Sequence, residues 1–255
     1  MTRLLVTFSL LALAACAAPT TPMPTPTPTP DVSPITLVTL GDSLTEGDKD
    51  DSSDGGGWPR RIRSILAAQR PGSQVINLAR AGWTSTDLLR GANGEPNQID
   101  RAVAALQAAA GRKIATVWIG ANDLFYLYEF GDPTPDDERA DRDRFIGNLD
   151  ETLRRLSETH AEIFVAQIGD PAAWGAPDGG LFYSITPEEW RRLSKQAAAY
   201  DAALDLLAAK HSATLVDVHA TGVFTTPSLM DPDGVHPNGR GYDALADLWR
   251  RAVVR

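Results

Sequence analysis

Ile35-Thr36-Leu37-Val38-Thr39-Leu40 runs directly into Gly41-Asp42-Ser43-Leu44-Thr45. An apolar run this short, rich in β-branched residues and closed by glycine, reads as a buried strand. The chain repeats the arrangement. The pattern predicts four more strands, at 74–78, 114–119, 163–168 and 214–218. Helical spacing separates them. It predicts helices over 58–69, with Pro59 at a tolerated first-turn position, and over the Ala-rich 99–110, stopped by Gly111. A long charged helix is expected near 136–159, another from Pro187 to about Lys210 capped by Thr186, and an amphipathic one over 241–254. Alternation of this kind predicts an α/β domain, three layers deep, around a mainly parallel five-stranded sheet.

Ligands of such sheets bind beyond the carboxyl ends of the strands. Three predicted strands run out there into polar or Gly-containing segments: Gly41-Asp42-Ser43, Ala79-Arg80-Ala81-Gly82 and Gly120-Ala121-Asn122-Asp123. These segments are expected to meet at one edge.

The 255 residues leave room for one sizeable core, with 43% hydrophobic content typical of a globular chain. A formal net charge of −9 and the lack of a strong basic run argue against a nucleic-acid partner. Residues 1–15 read as a leader: Arg3 is followed by the apolar run Leu4–Ala15. Its end, Leu13-Ala14-Ala15-Cys16, resembles the bacterial lipobox, in which cleavage exposes a Cys that is then acylated. An ordinary signal peptide with an incidental Cys is the alternative. Cys16 is the only Cys, so no intramolecular disulfide can form. Residues 16–34 carry Thr25-Pro26-Thr27-Pro28-Thr29-Pro30, which excludes helix or inner strand and predicts an extended tether of about 3 Å per residue. Residues 35–255 form the domain. Together these features predict an extracytoplasmic protein of the bacterial cell envelope, lipid-anchored to a membrane.

At the polar edge, a serine hydroxyl becomes a useful nucleophile only beside a base, and the base works best when a carboxylate orients it. Of four His, His160 and His211 sit at helix ends, and His219 reads as a turn or core residue. His236 lies in Asp231-Pro232-Asp233-Gly234-Val235-His236-Pro237-Asn238, ahead of the last helix, with Asp233 three residues away. Taken singly, Asp-x-x-His is a capping turn and Gly-x-Ser a common loop. Gly82 alone reads as a turn glycine and Asn122 as an Asx-turn residue.

In combination they resemble the SGNH hydrolases, also called GDSL esterases and lipases. Four blocks stand in that family's order: Gly41-Asp42-Ser43-Leu44-Thr45-Glu46-Gly47, Asn77-Leu78-Ala79-Arg80-Ala81-Gly82-Trp83-Thr84-Ser85, Gly120-Ala121-Asn122-Asp123-Leu124 and Asp233-Gly234-Val235-His236-Pro237-Asn238. The resemblance implies a flavodoxin-like α/β/α sandwich and a serine esterase working through an acyl-enzyme. It assigns Ser43 as nucleophile, His236 as base and Asp233 as its orienter. It assigns the oxyanion hole to the amides of Ser43 and Gly82 and the side chain of Asn122. Asp42 and Asp123 are expected to hold loops together.

No cofactor and no metal is implied. Asp48-Lys49-Asp50-Asp51-Ser52-Ser53-Asp54 lacks the bidentate Glu of a calcium loop, Pro59 standing at the twelfth position, and is expected to be a solvated, mobile loop. Two inserts, Leu124–Phe130 and one holding Trp174 with Leu181-Phe182-Tyr183, offer aromatics for either a pocket or the core. Thr45 in place of the second Gly of G-x-S-x-G disfavours the α/β-hydrolase fold. Short-chain, lysophospholipid, thioester and acetylated-sugar esters all fall within the family's range, with a monomer expected. Acyl transfer by the same triad, or a non-catalytic surface binding lipoprotein, are the competing functions.

Overall fold

The computed structural model describes residues 33–175 and 180–254. The leader, Cys16 and most of the Pro/Thr tether lie outside the described residues. Five strands form the sheet: β1 Ile35–Gly41, β2 Gln74–Asn77, β3 Arg112–Trp118, β4 Glu162–Ala166 and β5 Thr214–Val216. Their spatial order is β2-β1-β3-β4-β5 and every pairing is parallel. The sheet is thus wholly rather than mainly parallel. Leu37 sits opposite Val75 on one side and Ile114 on the other, and all seven residues of β1 are buried. Full burial explains why β1 reads as a continuous apolar run rather than an alternating one.

The helices are α1 Ser43–Glu46, α2 Gly57–Gln69, α3 Ser85–Arg90, α4 Gln98–Ala108, α5 Ala121–Glu129, α6 Pro135–Ser157, α7 Pro187–Lys210 and α8 Gly239–Val253. They fall into two packed groups, α2 with α8 and α6 with α3, α4, α5 and α7, giving the α/β/α sandwich. Threonines start the two longest. Thr134 and Thr186 each accept from the amide three residues on, and Asp137 or Glu189 returns a bond to the threonine amide, with Pro at the first helical position.

One expectation needs correcting and another qualifying. Leu124–Phe130 is no loop insert: most of it is α5, whose Leu124, Phe125 and Tyr128 share one buried face. The acidic segment 48–54 is solvent-exposed over much of its length, as expected, but it is anchored through two of its carboxylates. The Asp50 side chain is shielded, accepts from the Gly57 amide, and pairs with Arg61 of α2 at 2.6 Å, while Asp51 accepts from the Gly239 amide that opens α8. Burial disfavours the charge on Asp50, but Arg61, Ser52 and Gly57 outweigh it and lower its pKa. The carboxylates of Asp50 and Asp51 are therefore spent on the protein itself. Among the described residues no cluster of His, Cys, Asp and Glu is placed to hold a metal ion.

Behind the sheet, Trp58 of α2 and Trp249 of α8 stack at 4.6 Å between centroids, both fully buried. Removing so large a ring leaves a cavity that neighbours cannot refill. Trp249→Ala is expected to lose about 3–5 kcal/mol in urea unfolding; a loss below about 1 kcal/mol would show that the two layers do not depend on this contact.

Candidate active site

In a sheet of order 2-1-3-4-5, chain progress reverses beside the first strand, and a crevice opens beyond the carboxyl ends of β1 and β3. Both ends are glycine-bounded. At Gly41 a Cβ would lie 2.3 Å from the Trp118 carbonyl, so no side chain fits. The buried side chain of Gln98 clamps the same residue twice: its Nε2 donates to the Gly41 carbonyl and its Oε1 accepts from the Gly41 amide, both at 2.8 Å. Asp42 then caps α1 by accepting from the Leu44 amide at 3.0 Å. Asn77 donates to the Thr45 carbonyl at 3.0 Å, and the Tyr242 hydroxyl of α8 donates to the Asp48 carbonyl at 2.8 Å. Ser43 is the first helical residue of a turn held on every side.

The segment from Asp231 to Asn238 brings the other partners. Asp233 Oδ1 accepts from the amides of Val235 and His236, each at 2.9 Å, and Oδ2 meets His236 Nδ1 at 2.7 Å. The far ring nitrogen, Nε2, lies 2.8 Å from Ser43 Oγ. Burial opposes the charge on Asp233, yet the imidazole and the two amides together lower its pKa to about 2. A permanently ionised carboxylate on Nδ1 fixes the tautomer that leaves Nε2 free to accept. A second carboxylate, that of half-exposed Asp48, lies 3.9 Å from Nε2.

Gly82 and Asn122 line the same cleft as Ser43 and His236, a space of about 330 Å³. Gly82 has φ +75°, a conformation that strains any residue with a side chain, and neither its amide nor that of Ser43 donates to a protein acceptor among the described residues. Asn122 spends one Nδ2 hydrogen on the Trp83 carbonyl at 3.0 Å, leaving the other. The loop bearing Gly82 is held by Glu46, which accepts from the Ala81 amide at 2.6 Å, and by Tyr126, which donates to the Gly82 carbonyl at 3.1 Å. Asp123 anchors α3 through the Ser85 amide and hydroxyl at 2.8 and 2.6 Å. Asp42 and Asp123 are both loop-holders. Burial raises the pKa of both, that of Asp42 to about 7 against the opposing pull of the Leu44 amide and His236.

The structure therefore brings together Ser43, Gly82, Asn122, Asp233 and His236. The remaining imidazoles stand elsewhere. His211 Nε2 meets Asp150 at 2.6 Å, and His219 packs against Trp174 and Phe224, where burial lowers its pKa. Of the aromatics, Phe125 and Phe182 stack at 4.0 Å with Trp174 and Trp190 edge-on, which makes that cluster core. Tyr126 and Phe130 line the cleft, and Phe182 faces both. Sequence reasoning missed Gln98, Asn77, Glu46 and Asp48. Their only signal was position: Glu46 and Asn77 lie within family blocks, Asp48 just after one, and Gln98 opens a helix.

A serine hydrogen-bonded to a histidine, itself held by an aspartate at the edge of a parallel sheet, defines a serine hydrolase. The chain belongs to the GDSL-like Lipase/Acylhydrolase family, which its residues 39–244 match, and is thereby a serine hydrolase acting on ester bonds. Among solved structures it is similar to a lipolytic G-D-S-L family protein of Veillonella parvula (17% identity, TM-score 0.58, covering 87% of this chain and 99% of that one). It is also similar to the psychrotrophic esterase EstA of a Pseudoalteromonas species (19%, 0.59, 86% and 96%) and to the acetylxylan esterase Axe2 of Geobacillus stearothermophilus (19%, 0.59, 86% and 94%). At these identities the likeness speaks for the fold. No curated protein sequence matches the chain.

Because the folded pKa of Asp233 lies below its ordinary 3.8, its ionised form stabilises the fold above that value, and the contribution fades as pH falls toward 2. The stability gap between the wild type and Asp233→Asn, read from urea midpoints, is expected to be widest at neutral pH and to narrow below about pH 4. A gap that stays constant down to acid denaturation would contradict this assignment.

Proposed function

We propose that the protein hydrolyses carboxylic esters of short acyl chains through an acyl-enzyme on Ser43. The observation that carries this reading is the unbroken hydrogen-bonded line from Asp233 through His236 to Ser43 Oγ, at 2.7 and 2.8 Å, opening on the cleft. His236 Nε2 takes the Ser43 proton as Oγ bonds to the ester carbonyl carbon. The negative charge passes to the carbonyl oxygen, where the amides of Ser43 and Gly82 and the free Nδ2 hydrogen of Asn122 receive it. Asp233, ionised throughout, stabilises the imidazolium. The imidazolium gives its proton to the leaving alkoxide as the C–O bond breaks. Water, deprotonated by the same nitrogen, then releases the carboxylic acid and restores Ser43.

The modest cleft, walled by Phe182 and the Ser43 turn, supports acetyl-sized or slightly longer acyl groups. The name of one structural neighbour, an acetylxylan esterase, makes acetylated sugars one candidate class. Leu13-Ala14-Ala15-Cys16 and the Pro/Thr run support the further reading that this domain works outside the cytoplasm on a lipid tether.

A fluorophosphonate probe is expected to label the wild type and to leave Ser43→Ala unlabelled. Across a series of nitrophenyl esters, kcat/KM should fall steeply beyond short acyl chains; preference for long chains would reject the acyl assignment. Asn122→Ala, which removes one oxyanion donor, should lower kcat by about 10²–10³ with little change in KM. A loss confined to KM would remove Asn122 from the oxyanion hole.

A further inference from the structure

The cleft around Ser43 carries charge of one sign. Asp48 and Glu129 line it, and none of its lining residues is Lys or Arg. Glu129 ends α5, and its Oε2 is shielded from solvent with no hydrogen-bond partner among the described residues. A shielded carboxylate oxygen without a donor is costly unless the site's occupant supplies a compensating positive charge. Tyr126 and Phe130 line the same cleft, their ring centroids 5.6 Å apart and tilted by 41°, with Phe130 78% exposed. Aromatic faces beside carboxylates are the chemistry that holds an organic cation, the rings through their quadrupoles and the acids through charge.

Geometry also says which half of the ester this concerns. Asp48 lies 3.9 Å from His236 Nε2, the atom that hands its proton to the departing oxygen, so Asp48 stands on the leaving-group side. Resting on the esterase reading above, we propose that the cleft selects esters whose alcohol portion bears a positive charge, a quaternary ammonium above all, held by Asp48 and Glu129 against Tyr126 and Phe130. A neutral polyhydroxyl alcohol would bond to the same carboxylates but would leave their charge uncompensated. An anionic alcohol would be repelled by both.

The test compares acetylcholine with the neutral acetyl ester in which carbon replaces the quaternary nitrogen. The wild type is expected to favour the cationic ester about ten-fold or more in kcat/KM at low salt, with the ratio shrinking as salt is raised. Glu129→Gln and Asp48→Asn should each cut that ratio several-fold, and should Glu129→Gln fail to fold, Phe130→Ala removes an exposed ring and should cut it too. Tetramethylammonium should slow fluorophosphonate labelling of Ser43. Equal or faster turnover of the neutral ester overturns the proposal, as does a ratio that neither carboxylate variant moves. So does a labelled enzyme that tetramethylammonium fails to protect. Absence of labelling altogether, with no turnover of either ester, would instead sink the esterase reading.

Discussion

Both backbone polar groups of Gly41 are held by one amide side chain, that of Gln98. A parallel strand buried on both faces has to release the chain somewhere, and at the point of release its peptide groups lose the regular ladder that satisfied them. Gln98 fills that gap from a neighbouring helix. It thereby sets where β1 stops, and Ser43 follows two residues later at a fixed height above the sheet. Everything else about the site is measured from that height. The imidazole comes down to it from the segment before α8, and the Gly82 loop and the start of α5 flank it.

Positioning of this kind is built from many short bonds to backbone, few of them involving the reacting atoms. Asn77 holds the far end of α1, Tyr242 holds Asp48 two residues beyond it, and Glu46 turns back from α1 to fix the neighbouring loop. Asp233 is oriented by two amides of its own turn before it touches the imidazole. A carboxylate so held has little freedom to lose when charge develops on its partner, which is what electrostatic preorganisation requires. The buried Trp58–Trp249 contact on the opposite face serves the same end more remotely, since α8 supplies Tyr242 and begins directly after the histidine segment.

The three central strands β1, β3 and β4 were legible because burial of most of their residues writes itself as an unbroken apolar run, and the helices opened by Thr134 and Thr186 because a Thr-Pro start followed by Asp or Glu is a local signature. Ser43, Gly82, Asn122, Asp233 and His236 were legible because each sits in a short block that resembles one of the family's, in the family's order. The clamp by Gln98, the pairing of Asp50 with Arg61 and the grip of Glu46 on Ala81 were not. Each joins a side chain to a group 11 to 57 residues away, with no periodicity to announce it. The α5 helix was hidden for another reason. Its aromatics bury one face and line the cleft with another, so the apolar stripe loses its polar counterpart.

That helix carries Asn122 in its first turn and Tyr126 one turn later, and both donate to consecutive carbonyls of the facing loop, Trp83 and Gly82. The two walls of the cleft are in effect riveted to each other at two points. A force that shifts α5, whether from a bulky ligand pressing on Phe130 or from a change in the packing of Phe125, is passed to the Gly82 amide as well as to Asn122. The donors on opposite walls therefore move as one rigid jaw, and damage to either is felt by both.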